Sequence, residues 1–202
     1  MAEFWEEAFK EKKEMWGFDS AKSAVLAKDF FLKNKIENVL IPGIGYGRNA
    51  KIFMDNGMSV TGIEISQTAI ELAETHFGNA LKIHHGSVTE MPFDDKVYEG
   101  IFCYALIYLF DHKARKKLIQ DCYHQLSENG LMIFTAIRKD AQTYGQGKEI
   151  SKDRFEMFGG VKIFFYDEDT IKDDFEDAGL FEISDLSENY PFYLIKCRKT
   201  KK

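Results

Sequence analysis

The stretch IPGIGYGRNA, residues 41–50, decides how this chain folds. Gly43, Gly45 and Gly47 alternate through it. The apolar run NVLIP (38–42) leads into them, and Ala50, Phe53 and Met54 follow at helical spacing. An apolar run without a period of two reads as a strand buried on both faces. Glycine reaches backbone conformations that other residues avoid, and it lets a ligand approach with no Cβ in the way. The helix behind the turn offers free N–H groups at its N-terminus. Strand, turn and helix together predict a βα unit of an open sheet, with a ligand site outside the strand's C-terminal end.

The same alternation continues outward. Gly57 sits where a helix cap belongs, and MSVTGIE (58–64) reads as a second strand. Ser66 can cap a helix over 67–77, whose Ile70, Ala73 and Phe77 share one face before Gly78 ends it. LKIHHG (81–86) and YEGIFCYA (98–105) are a third and a fourth strand. Residues 112–127 make a helix with Leu118, Ile119, Cys122 and Leu126 inward, and the NG turn at 129–130 opens a fifth strand, LMIFTAI (131–137). Strands alternating with helices imply parallel pairing through right-handed crossovers, so the fold class is α/β, a doubly wound sheet with helices on both faces. A helix over 168–178 then leads to LFEISDL (180–186) and, past Pro191, to FYLIKCR (192–198). Two strands that close cannot be joined by a crossover helix, so they form an antiparallel hairpin. Segments 1–28 and 138–166 fit neither pattern and are expected to be lid or binding segments. The terminal KTKK (199–202) is expected to fray.

Composition narrows the function. A chain of 202 residues suggests one domain, and such a chain buries roughly 70% of its unfolded surface, enough for a core without staples. The net charge of -6 argues against a sequence-independent grip on nucleic acid. Cys103, Cys122 and Cys197 are far apart and lack C-x-x-C spacing, which favours reduced thiols and a cytoplasmic location. The N-terminus has no long apolar stretch and no run approaches a membrane span, so neither a secretory signal nor a membrane partner is expected.

Glu64 ends the second strand. A carboxylate there, after such a turn, can accept hydrogen bonds from ribose hydroxyls, so the pattern points to a nucleoside ligand. Gly45 to Ala50 formally fits the dinucleotide fingerprint G-x-G-x-x-A, which keeps an NAD-linked oxidoreductase open. IPGIGYG also resembles the turn of class I S-adenosylmethionine-dependent methyltransferases. The resemblance covers roughly residues 36–137 and the terminal hairpin. It implies a Rossmann-like sheet of seven strands, mostly parallel with an antiparallel last strand, and a single domain over 1–202. It also implies S-adenosyl-L-methionine as cofactor, S-adenosyl-L-homocysteine as product and a small-molecule methyl acceptor.

On the matching positions, the resemblance implies that Gly43, Gly45 and Gly47 wrap the methionine part of the cofactor. Glu64 would hold the ribose. Ser87 and Val88 would border the adenine, Ile65 counts among the cofactor-binding residues, and Cys103 to Leu106, Tyr104 included, would lie beneath the sulfonium. The triplet Met91 to Phe93 resembles the family's run before the fourth strand. Two acids of the pattern are missing: Ile41 and Pro42 stand where one usually opens the turn, and Ser87 stands at the adenine position. Gly47 to Ala50, and less specifically Trp16 and Gly17, resemble tellurite-resistance-type and thiopurine-type relatives, which implies a small, soft nucleophile.

Acceptor-side candidates come from the segments outside the core pattern. Trp16 and Phe18 can close over the cofactor or pack a helix on the domain edge. Tyr104 and Tyr108 can face the acceptor or the core, and Arg48 can meet a carboxylate or solvent. Tyr144, Arg154 and Tyr166 lie in or beside the 138–166 insertion, where the family builds acceptor pockets; the alternative is ordinary loop residues. No catalytic side chain is assigned, because a base is needed only if the nucleophile arrives protonated. His84 and His85 read as structural, His112 as a solvated helix terminus, and no metal site is expected. A non-catalytic cofactor-binding module and a protein methyltransferase stay open; the acidic balance counts against RNA.

Overall fold

The structure, a computed structural model, describes residues 2–200. Its centre is a seven-stranded sheet. In chain order the strands are β1 (Asn38–Pro42), β2 (Ser59–Glu64), β3 (Lys82–His85), β4 (Tyr98–Cys103), β5 (Leu126–Ile137), β9 (Leu180–Ser187) and β10 (Pro191–Arg198); β6 to β8 form a smaller sheet taken up below. Their spatial order is β3-β2-β1-β4-β5-β10-β9. β1 to β5 pair in parallel, and β10 runs antiparallel to both β5 and β9. The doubly wound sheet with its C-terminal antiparallel pair is therefore as the sequence predicts.

Alternate residues of one strand serve opposite layers. Val39 and Ile41 join a core with Ala24, Ala27 and Phe31 of α2 (Lys22–Lys33) and Ala50 and Phe53 of α3 (Arg48–Met54). Leu40 faces the other core, with Leu118, Ile119 and Cys122 of α5 (His112–Gln125) and Ile171 of α6 (Glu168–Asp174). Gly100 shows how tightly α2 packs: a Cβ there would stand 2.8 Å from Ile36 and 3.1 Å from Phe31. Ser66 caps α4 (Gln67–Phe77), accepting the Ala69 N–H at 3.1 Å.

Three expectations change. Part of the N-terminal segment is a layer of the core, since α2 runs over 22–33 with four buried residues; only α1 (Ala2–Lys12) and the turn after it lie over the sheet's edge, and Met1 is outside the described residues. The 138–166 insertion is no open loop. It folds into a three-stranded antiparallel sheet, β6 (Lys148–Ser151), β7 (Arg154–Met157) and β8 (Val161–Phe164), whose Phe155, Met157 and Ile163 join the main core. Lys199 is tied down, its N–H bonded to the Gly130 carbonyl at 3.0 Å and its ammonium to the Leu126 carbonyl at 2.7 Å. Lys201 and Lys202, the rest of the tail expected to fray, lie outside the described residues.

Candidate functional site

The glycine turn sits at the C-terminal end of β1, as the sequence requires. Gly43, Gly45 and Gly47 have φ of 67°, 58° and 85°, values that favour glycine. The Gly43 and Ile44 N–H groups bond to the Ile63 carbonyl, fixing the turn to β2. At Gly47 a side chain is also excluded by space, since a Cβ would stand 2.6 Å from the Phe77 ring.

Glu64 faces the turn. It is buried, at 6% exposure, and accepts from Gly45 N–H at 2.8 Å, Ile65 N–H at 2.8 Å and Ser66 N–H at 2.9 Å. Burial pushes its carboxyl above the ordinary value of 4.5, while those three N–H groups and nearby His85 pull it down. An ionised carboxylate offers about four lone-pair sites, so three are in use and one remains. His85 sits beside this corner, with Nε2 3.1 Å from the Ile65 carbonyl. The sequence reading set His85 aside as structural. A histidine at the end of β3, next to β2, was the signal available.

The cleft over the turn is covered by α1. Phe9, at 3% exposure, lies 3.7 Å from where a Gly45 Cβ would be. Glu6 anchors the helix, accepting from Ser66 Oγ and Thr68 Oγ1, both at 2.7 Å, and from Thr68 N–H at 3.2 Å. Those bonds hold its carboxyl down to about 2. Tyr46, the x between two glycines, clamps the next segment. Its hydroxyl donates to the Gly17 carbonyl at 2.7 Å and accepts from Trp16 N–H, while its ring stacks on Trp16 and on Phe18. The sequence reading passed over Glu6, Phe9 and Tyr46, because nothing in a linear pattern joins residues 6 and 66.

Beyond β4 the chain makes a tight bend. Ala105 has φ of 51°, a left-handed conformation unusual for alanine, and its N–H is held by Thr135 Oγ1 at 2.8 Å. The bend sets Tyr104 at the wall of a cavity of about 260 Å³ lined by Asp19, Lys22, Arg48 and Glu188. Burial, with Glu188 nearby, pushes the Tyr104 hydroxyl up to about 12, so it donates rather than accepts protons at neutral pH. Tyr108 stacks on Phe192 instead, and burial raises its hydroxyl strongly.

The remaining candidates scatter. Ser87 accepts from Thr89 N–H and Val88 is buried in a short turn after β3. Tyr144, ahead of β6, donates to Asp153 in the β6–β7 turn at 2.7 Å. Tyr166, expected in an acceptor pocket, is fully buried with its hydroxyl donated to Asp174 at 3.0 Å. Asp174 also takes Arg115 Nε at 2.8 Å. His84 pairs with Asp94 at 3.0 Å, a structural role. His112 is exposed but stands 3.6 Å from Asp174, so it is no free terminus.

The residues fit a nucleoside cofactor on two observations: a glycine cradle with no Cβ toward the cleft, and a buried carboxylate with an acceptor site to spare. The fit requires α1 to shift, because Phe9 lies on the cradle.

Comparison with known proteins agrees. The family described as "Methyltransferase domain" matches residues 40–134. No curated protein matches the chain in sequence. Among solved structures, 1,6-didemethyltoxoflavin-N1-methyltransferase from Burkholderia thailandensis, with bound 1,6-didemethyltoxoflavin and S-adenosylhomocysteine, matches 99% of this chain and 87% of its own at 13% identity, TM-score 0.77. An S-adenosylmethionine-dependent methyltransferase from Clostridium acetobutylicum matches 98% of this chain and 99% of its own at 12% identity, TM-score 0.75. One from Methanosarcina mazei matches 85% and 98% at 17% identity, TM-score 0.73. At such identities the likeness establishes the fold. Residues 40–134 thus match the methyltransferase domain family, and the whole chain has the fold of S-adenosylmethionine-dependent methyltransferases.

Proposed function

We propose that the chain transfers a methyl group from S-adenosylmethionine to a small-molecule acceptor at the end of β4. The observation that carries this is the glycine cradle facing buried Glu64, with a polar cavity of about 260 Å³ a few residues away at Arg48 and Tyr104. Pockets for drug-sized ligands span about 300–1,000 Å³, so this one suits a compact molecule. The Burkholderia enzyme, whose structure holds a small heterocycle, supports the same class of acceptor. Among the described residues, no helix is long and apolar enough to cross a membrane.

In this reading the backbone of Gly43, Gly45 and Gly47 wraps the methionine part, and Glu64 accepts from the ribose. Ile65, Ser87 and Val88 border the adenine. When bound, the cofactor supplies an already activated methyl group. The chain's own task is alignment and exclusion of water. Trp16 and Phe18, clamped by Tyr46, close one side. Tyr104 is held on the other by the Ala105 bend, its protonated hydroxyl available to orient an acceptor.

The test is release of S-adenosylhomocysteine during incubation with panels of small amines, thiols, selenols and phenols, and separately with unfractionated protein and RNA. Turnover on a small-molecule panel supports the reading. Methylation confined to protein or RNA would overturn it.

A further inference from the structure

The cavity beside the glycine turn gathers charges of both signs, with the Tyr104 hydroxyl beside Glu188 and Arg48. Its wall brings together Asp19 from before α2, Lys22 from the start of α2, Arg48 from the start of α3 and Glu188 from the β9–β10 turn. Among the described residues none of these four forms an ion pair. Arg48 gives Nη1 to the Trp16 carbonyl at 2.9 Å and stands 5.8 Å from the Tyr104 ring centre. Glu188 Oε1 accepts the Ser23 N–H, while Oε2 is buried with no hydrogen-bond partner. Two cations and two carboxylates thus share one small space. A buried carboxylate oxygen left without a donor is unfavourable and rare in native proteins. Its natural complement is an ammonium or N–H group, and that of Arg48 and Lys22 is a carboxylate.

We propose that this cavity binds the amino and carboxylate groups of an amino-acid-type zwitterion, with Glu188 on the ammonium and Arg48 on the carboxylate. This rests on the proposed function and sharpens it. The chemistry has two sources. One is the methionine end of the cofactor: Ile41 and Pro42 leave the glycine turn without the acid expected there, and Glu188 replaces it from across the fold. The other is a free amino acid serving as methyl acceptor.

Calorimetric titration of the full chain separates them. Wild type, Glu188→Gln and Arg48→Gln are titrated with S-adenosylhomocysteine and with 5′-methylthioadenosine, which lacks the amino-acid end. The S-adenosylhomocysteine-loaded proteins are then titrated with the standard protein amino acids. Glu188→Gln keeps an oxygen for Ser23 and so spares the local fold. If the cofactor is the source, both variants weaken S-adenosylhomocysteine about ten-fold or more and leave 5′-methylthioadenosine unchanged. If the acceptor is the source, both nucleosides bind as in wild type, and an amino acid that binds the loaded wild type is lost. Equal binding of all three kinds of probe by the three proteins overturns the zwitterion proposal and leaves the methyltransferase reading standing. Failure of wild type to bind either nucleoside overturns that reading instead, and if the free protein, titrated in turn, also binds no amino acid, both are overturned.

Discussion

The cleft over Gly45 and the cavity beside Arg48 lie at the two ends of one turn, and they are satisfied in opposite ways. In the cleft every strong polar group has a partner: Glu64 holds three N–H groups, and Glu6 caps α4 while Phe9 covers the glycine. In the cavity, among the described residues, the charged side chains form no ion pair and one buried oxygen of Glu188 has no hydrogen-bond partner. The difference separates two binding problems. A ligand entering the cleft must displace contacts the chain already makes, whereas one entering the cavity supplies contacts the chain lacks.

The largest test of this contrast removes the centre of the closed cleft. Glu64→Ala strips the acceptor from Gly45, Ile65 and Ser66 at once. Each buried orphan costs roughly 1–3 kcal/mol. A total of about 3 kcal/mol lowers the thermal midpoint by roughly 6–12 °C, measured by calorimetric scanning, with S-adenosylhomocysteine binding lost. An unchanged midpoint would mean that these bonds do not hold the turn.

Gly47→Ala places a methyl group against Phe77 in a backbone conformation costly for alanine. Strain of about 1–3 kcal/mol is expected, read as a lower urea midpoint with an unchanged slope. Phe9→Ala uncovers the cradle without touching it. The association rate of S-adenosylhomocysteine in stopped flow should rise by roughly 3–10-fold, because the competent state is populated more often. No change in that rate would show that α1 is no barrier.

The smallest effect is on pH. In the proposed reading the carboxylate form of Glu64 accepts from the ribose, and burial lifts the carboxyl above its ordinary 4.5. Cofactor affinity is therefore expected to fall as pH drops through that raised value. Glu6, held down to about 2, keeps its charge there, so α1 stays anchored over the same range. Loss of α1 protection from protease before loss of cofactor binding, on lowering the pH, would reverse the assignment of the two acids.

How much was legible follows the range of the interactions. The glycine turn, Glu64 and the Ser66 cap are local, each written within a few residues of the chain, and β1, β4 and residues 131–137 carry their burial in largely apolar runs. The antiparallel ending is legible because the connection between the last two strands is too short for a crossover helix. The small sheet of residues 148–164 was not, since its strands are four residues long and β6 is exposed along its whole length, with no period to read. The α1 cover depends on Glu6 meeting Ser66, and the cavity on Asp19, Arg48 and Glu188 meeting. Such contacts exist only after the sheet is assembled. Tyr166 looked like a pocket residue because it stands beside a glycine-rich insertion, yet Arg115 and Asp174 make a buried polar site for it.

Amide hydrogen exchange with and without S-adenosylhomocysteine tests the central claim most directly. The account predicts stronger protection at residues 43–47 and 64–66 on binding, together with altered exchange across α1 as Phe9 leaves the cradle. Protection elsewhere, with the glycine turn and α1 unchanged, would contradict it.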